Sequence, residues 1–289
     1  DEAGEVWAWS LRGGDGAARG RIAGRATAIA ALGTGAVVVG GTDGALTWWP
    51  GPRRQLASSV TAIAIDRDGA RVAAATADGP IALFSGDGAP LATWPGHPGG
   101  TDALAFAPDG ALVVSGGQDR ALRVWQVATP AAPPAEVGPL PDDTRAVVFA
   151  PDGATVIAAG DDGAVRAWSR RGDAIDPASV RTLTARRGAV RSLTIDRGAG
   201  TIDVLWRDRH GAHVDLAPPH AARPWAVLPD DAVAPLALPG EPPRSVAARG
   251  ALVVVRGAGT RSLADLRATI AAATRATLAP RQPVTPDAP

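Results

Sequence analysis

Cysteine, methionine, tyrosine, lysine and asparagine are all missing from this chain of 289 residues. Without cysteine there is no disulfide, no thiolate metal site and no cysteine nucleophile. Without lysine there is no P-loop lysine, no kinase ATP lysine and no Schiff-base chemistry. All 29 basic residues are therefore arginine. Lysine, asparagine and tyrosine have AT-rich codons, so their absence points to a GC-rich, bacterial genome. The absence of methionine predicts that Asp1 is an internal cut, a processed end or an excised domain boundary. Charge of either sign is not in excess, since the formal net charge is zero. A nucleic-acid binder relies on a basic surface, which argues against such a partner. The pairs Arg53-Arg54, Arg170-Arg171 and Arg186-Arg187 fall in predicted turns and read as solvated loop charge. No stretch is apolar enough for long enough to span a bilayer, and no signal peptide is visible. The expected location is the cytoplasm.

What is present is a repeat. Ala107-Pro108-Asp109-Gly110 returns as Ala150-Pro151-Asp152-Gly153 and, more loosely, as Asp66-Arg67-Asp68-Gly69. Each lies between two short apolar runs. Each is followed by an aspartate six residues before an aromatic: Asp78 to Phe84, Asp119 to Trp125, Asp162 to Trp168. Asp43 to Trp49 adds an upstream pair. Short strands and tight turns with a period of ~40–45 residues are the signature of a propeller blade. Asp-Gly at the hairpins supplies positive φ at low steric cost.

The clearest repeat predicts strands at 103–107, 111–116, 121–127 and 136–140. The next predicts 145–150, 155–159, 164–169 and 180–184. The one before predicts 60–65, 71–75, 81–85 and 90–94, and the first predicts 26–31, 36–40, 45–49 and 55–57. Residues 5–10 match a third strand, so the chain starts inside a blade. From Val190 the pattern weakens: strands are expected at 190–195, 202–206 and 212–216, then a long outer segment that includes 234–240. Strands at 245–249 and 251–256 open a last blade. Ser262-Leu263-Ala264-Asp265 has the form of a capping box. Leu266, Ile270, Ala273 and Thr277 then follow on one helical face. The expected organisation is an all-β propeller over residues 1–262, with a partial first blade over 1–24. A helix over 263–279 packs on it, and a disordered proline-rich tail covers 280–289. Six and seven blades both fit the strand count; in the six-bladed ring the N-terminal strands complete the last blade.

The blade pattern resembles the WD40 repeat, over roughly residues 5 to 260. That resemblance implies a structural tetrad of His97, Ser115, Asp119 and Trp125 in one blade. Asp43, Trp49, Asp78, Phe84, Asp162 and Trp168 take equivalent positions in others. The blade after Val190 departs from the pattern, with His210 and Leu216 where the family has its Asp and Trp. The C-terminal segment looks like the helical tail of bacterial WD40 propellers that end larger signalling or defence proteins. The resemblance also implies a partner-binding face, here Thr42, Thr101, Asp102, Gln118, Thr144, Arg145 and Asp161.

His97, Ser115 and Asp119 have the residue types of a catalytic triad. A triad needs a nucleophile with a base in reach and an oxyanion hole beside it. With Trp125 as fourth member, a buried network that pins strands together is the reading adopted, and no catalytic residue is assigned. His210, His213 and His220, with Asp215, form the one candidate metal set, because imidazoles and carboxylates suit zinc. Their positions in a hairpin and a proline-flanked loop make ordinary histidines the competing reading. No cofactor is expected. The expected function is a non-catalytic scaffold or sensor that binds a protein partner, as one domain of a larger bacterial chain. The alternative is a propeller that binds a small ligand or metal, including a hydrolase that uses those histidines. Mutation of Gln118 and Asp161 together is expected to abolish partner binding at unchanged stability.

Overall fold

The computed structural model describes residues 5–8, 17–22, 24–32, 36–185, 188–196, 200–208, 210–217, 220–225, 244–248 and 251–255. Strands dominate because the apolar runs are short, rich in Val, Ile and Ala, and broken by turn residues. Strands β1 (Glu5–Ala8) and β2 (Ala17–Arg21) form a two-stranded sheet. The next sheet holds β3 (Ala26–Ala31), β4 (Val37–Gly41), β5 (Ala45–Trp49) and β6 (Arg53–Gln55). Then come β7 (Val60–Ile65), β8 (Arg71–Thr76), β9 (Ile81–Ser85) and β10 (Pro90–Trp94). The fourth sheet is β11 (Thr101–Phe106), β12 (Leu112–Gly117), β13 (Leu122–Gln126) and β14 (Ala135–Val137). The fifth is β15 (Thr144–Phe149), β16 (Thr155–Gly160), β17 (Ala164–Arg171), β18 (Ala174–Ile175) and, past a 3-10 turn at Pro177–Ser179, β19 (Arg181–Ala185). The sixth is β20 (Val190–Asp196), β21 (Thr201–Trp206), β22 (Gly211–Asp215) and β23 (Ala222–Trp225). A last pair is β24 (Arg244–Ala248) and β25 (Ala251–Val255).

All neighbours pair antiparallel in sequence order, save that β17 pairs with both β18 and β19. Each four-residue repeat motif closes a hairpin between the first and second strands of its sheet. Boundaries shift by one or two residues from expectation. Outer strands move most: 55–57 becomes Arg53–Gln55, and 136–140 becomes Ala135–Val137. The outer strand of the sixth sheet is Ala222–Trp225. The expected segment at 234–240, the helix at 263–279 and the tail at 280–289 lie outside the described residues. Among the described residues no helix is long and apolar enough to cross a membrane.

Inner strands β3, β7, β11, β15 and β20 lie side by side in that order. The core lies between adjacent sheets. One cluster joins Val114, Leu122 and Val124 to Val147, Phe149, Val156 and Trp168. Another joins Ala73, Ile81 and Trp94 to Val113 and Trp125. Burial on both faces explains why these strands read as continuous apolar runs rather than alternating ones. Close approach fixes some residues: a Cβ at Gly116 would stand 2.4 Å from Thr144 Cγ2 of the next inner strand.

One feature repeats in every complete sheet. The first strand carries a register shift after its first residue, between 26 and 28, 60 and 62, 101 and 103, 144 and 146, and 190 and 192. The residue left out of register is Thr27, Thr61, Asp102, Arg145 or Arg191. A bulge of this kind re-aims one side chain away from the ladder.

A candidate interaction rim and its buried anchor

His97 precedes β11 in a tight loop that needs glycine. Gly96 has φ +66°, and a Cβ there would stand 1.9 Å from the Gly79 carbonyl oxygen. The His97 ring is fully buried. Its Nδ1 is 2.7 Å from Asp119 Oδ1, and its Nε2 is 2.7 Å from Ser115 Oγ. Trp125 Nε1 donates to the same Ser115 oxygen at 2.8 Å. In one assignment Trp125 donates to Ser115, the Ser115 hydroxyl donates to Nε2, and Nδ1–H donates to Asp119, with Arg123 Nη1 2.6 Å from the same Nδ1. Arg123 joins the set. Its guanidinium donates to Asp119 and reaches Glu136 Oε2 at 2.9 Å. Trp125 also stacks on Trp94, with centroids 5.5 Å apart and planes 23° from parallel.

Burial pushes the His97 pKa down, against the pull of Asp119, so the ring is held neutral. Burial pushes the Asp119 carboxyl up, but hydrogen bonds from Arg123 and His97 outweigh it and hold it below the usual range. The sign for stability follows. Below the ordinary histidine value of about 6.5, the unfolded chain binds a proton that the folded chain refuses, so stability falls as pH drops. The carboxylates add a second loss in the same direction, below about pH 4. Urea midpoints of the chain are expected to fall between pH 7 and pH 5, and those of His97→Gln to fall less over the same range. Equal slopes would show that His97 is not the group responsible.

The equivalent positions in neighbouring sheets are apolar. Register pairs Val113 with Trp125 and Val156 with Trp168, so Ala158 stands where Ser115 does. Leu140 lies four residues before β15, as His97 lies four before β11. Asp162 instead pairs with Arg166 at 2.6 Å. Asp43 accepts from Arg53 at 3.1 Å, and Asp78 accepts from Ser58. Asp43, Asp119 and Asp162 each also accept from the backbone two residues on, which is turn chemistry. Phe84 and Trp168 are buried, but Trp49 is half-buried. Its neighbour Trp48 fills the core and meets Phe84 edge to face at 5.4 Å.

Above this anchor the candidate face divides. Thr101 and Thr144 are buried, so they leave the set of partner-contacting residues. Thr101 accepts from His97 N and donates to the Gly79 carbonyl, and Thr144 packs over Gly116. Thr42 and Gln118 are exposed. Asp102, Arg145 and Asp161, each partly exposed, form a network across two sheets. Arg145 Nη1 meets Asp102 at 2.6 Å, its Nη2 meets Asp161 at 2.6 Å, and its Nε donates to both Asp161 oxygens. Gln118 Nε2 reaches Asp102 at 3.3 Å. The Arg145 hydrogen bonds hold the Asp161 carboxyl below its ordinary range, while burial raises that of Asp143 beside them. Asp161 is thus the ion-pair partner of Arg145, and its mutation removes those bonds as well as an exposed carboxylate.

Sequence reasoning missed Arg123 and Ser58. The Asp119–Arg123 spacing returns at Asp162–Arg166, and that recurrence was the available signal. The histidines of the metal candidate find separate partners: His213 meets Asp203, His210 lies 3.3 Å from Asp208, and His220 Nδ1 is 3.1 Å from the Asp215 carbonyl. No three His, Cys, Asp or Glu side chains gather for a metal among the described residues.

No curated protein matches the sequence. Among solved structures, one titled "Crystal Structure of Mitotic Checkpoint Complex" aligns with a TM-score of 0.71 and 17% identity, over 88% of this chain and 84% of that one. A second, "Structure of U3-55K", aligns at 0.60 and 19% identity, over 71% and 64%. At these identities the likeness concerns the fold. The family model described as "WD domain, G-beta repeat" matches residues 88–126 and 140–169, which include the anchor from His97 to Trp125 and the strands up to Trp168. Two stretches of this all-β chain thus match the WD40 repeat model, and the chain shares the fold of these solved structures.

Proposed function

We propose that this chain is a non-catalytic protein-interaction scaffold, one module of a larger bacterial signalling or defence protein. The rim network carries the reading. Asp102 and Arg145, turned out of register by the bulges, meet Gln118 and Asp161 from the hairpins of two adjacent sheets. Loops fixed on a rigid support present a large partner with a preformed surface.

The packing of successive sheets supports that rigidity. Second strands lie against the next inner strand at β4/β7, β8/β11, β12/β15 and β16/β20, and β25 lies against β3 in the same way. In a six-bladed ring, β1–β2 would complete the blade that β24–β25 opens beside sheet β3–β6.

The test is affinity capture from a lysate of a GC-rich bacterium, with two charge substitutions compared. Gln118→Arg changes an exposed rim residue; Asp68→Arg changes an exposed hairpin residue on the opposite face. Each should alter stability by less than about 0.5 kcal/mol. The captured protein is expected to be lost with Gln118→Arg and kept with Asp68→Arg. The reverse pattern would move the site to the other face, and capture of no specific protein would overturn the scaffold reading.

A further inference from the structure

The same backbone hydrogen bond closes the rim end of every complete sheet. Thr42 N donates to Arg25 O, Ala77 N to Ser59 O, Gln118 N to Gly100 O, Asp161 N to Asp143 O and Arg207 N to Ala189 O, at 2.9–3.1 Å. The bulged residue lies two positions after each acceptor: Thr27, Thr61, Asp102, Arg145 and Arg191. Each sheet therefore sets one bulged residue beside one hairpin residue. In the fourth and fifth sheets the two side chains meet and are complementary. Gln118 Nε2 reaches Asp102 at 3.3 Å, and Arg145 Nη2 meets Asp161 at 2.6 Å. Arg145 also reaches back to Asp102, the bulged residue of the preceding sheet, at 2.6 Å.

The sixth sheet lacks this compensation. Its bulged residue is Arg191, its hairpin residue is Arg207, and the bulged residue of the sheet before it is Arg145. Both positions that neutralise Arg145 in the fifth sheet are arginines around Arg191. Arg191 and Arg207 are exposed, and among the described residues no ion pair joins either to a carboxylate. Asp208, next in the chain, is the turn aspartate of this hairpin. It accepts from His210 N at 3.0 Å, as Asp162 accepts from Ala164 N, and lies 3.3 Å from His210 Nδ1. Like charges at facing positions repel. An arginine fork matches a carboxylate with parallel N–H donors, and a carboxylate beside both guanidiniums removes the repulsion.

We propose that Arg191 and Arg207 together bind a carboxylate of the protein partner, so that an acidic side chain supplied by that partner does for the sixth sheet what Asp161 does for the fifth. The inference rests on the scaffold reading and adds the partner's chemistry: an Asp- or Glu-bearing segment that flanks the rim at the sixth sheet. Asp142, Asp143 and Asp161 stand on the fifth-sheet side, so an acidic group is repelled there and drawn to the arginines.

The test titrates the whole chain against fluorescein-labelled hexaglutamate and hexalysine by anisotropy. Hexaglutamate should bind at low salt and weaken at about 150 mM salt, where exposed charges are screened beyond about 8 Å. Arg191→Gln/Arg207→Gln should weaken it at least about tenfold, and Arg171→Gln, on the exposed outer hairpin, should not. Arg207→Asp recreates the arrangement of the fifth sheet within the chain. It should abolish hexaglutamate binding and keep Tm at or above that of the unaltered chain. Hexaglutamate binding that survives loss of both arginines, absence of binding, or preference for hexalysine would overturn the site. A Tm several degrees lower in Arg207→Asp would do the same, because it would show that Arg207 already has an acidic partner in the free chain. A captured protein lost with Gln118→Arg but kept with Arg207→Asp would leave the scaffold reading standing and overturn this site alone.

Discussion

Trp125→Ala lowers the stability of the chain by about 3–5 kcal/mol. The indole is 2% exposed, stacks on Trp94 and holds Ser115 by its N–H. Its removal empties a core between two sheets and strips one bond from the His97 network. Native stabilities run at about 5–15 kcal/mol, so the loss is a large fraction of the whole. For a chain of this length it corresponds to a drop in Tm of roughly 6–20 °C. Trp49→Ala is the matched comparison. Trp49 sits at the same register, opposite Val37 as Trp125 sits opposite Val113, yet it is half-buried. Its loss should be clearly smaller. Equal losses in calorimetry would show that the β11–β14 sheet is not the anchor.

Ser115→Ala is the second large effect, and its signature is rescue. The substitution leaves Trp125 Nε1 without an acceptor and His97 Nε2 without a donor, both buried. Two such groups cost about 1–3 kcal/mol each, so the single variant should lose roughly 2–6 kcal/mol. Replacing both polar partners by apolar groups is much cheaper than removing one. The next sheet already uses that solution, with Leu140 and Ala158 at the same places. The double variant His97→Leu/Ser115→Ala should therefore be more stable than Ser115→Ala alone. A double-mutant cycle by urea denaturation measures the coupling. Additive losses would mean that Ser115 and His97 act independently, against the observed geometry.

These two experiments also mark what could be read from the chain before its structure. The hairpins at Asp66, Ala107 and Ala150 were legible because Asp-Gly turns have few alternatives. Strands β7, β9 and β10 were legible to the residue because turn residues bound them on both sides. The outer strands other than β10 were not, because an edge strand is held on one side only and its ends depend on the partner. The choice between Trp48 and Trp49 escaped the pattern, since both indoles fit the run and packing on Phe84 decides. The burial of two of the rim residues named from the resemblance escaped for a different reason. Thr101 and Thr144 look like surface residues, but Gly116 lets the Thr144 methyl pack inward. Asp102 and Arg145 reach outward only because a bulge turns them there. Neither a close backbone approach nor a bulge has a one-residue signature.

The rim from residues 99 to 102, 117 to 120, 142 to 145 and 160 to 163 is the proposed partner site. Hydrogen–deuterium exchange of the chain, alone and with its captured partner, tests it most directly. Protection on binding is expected to concentrate in those four segments. Protection at the opposite hairpins, 66 to 70, 107 to 110 and 150 to 153, with an unchanged rim would contradict it.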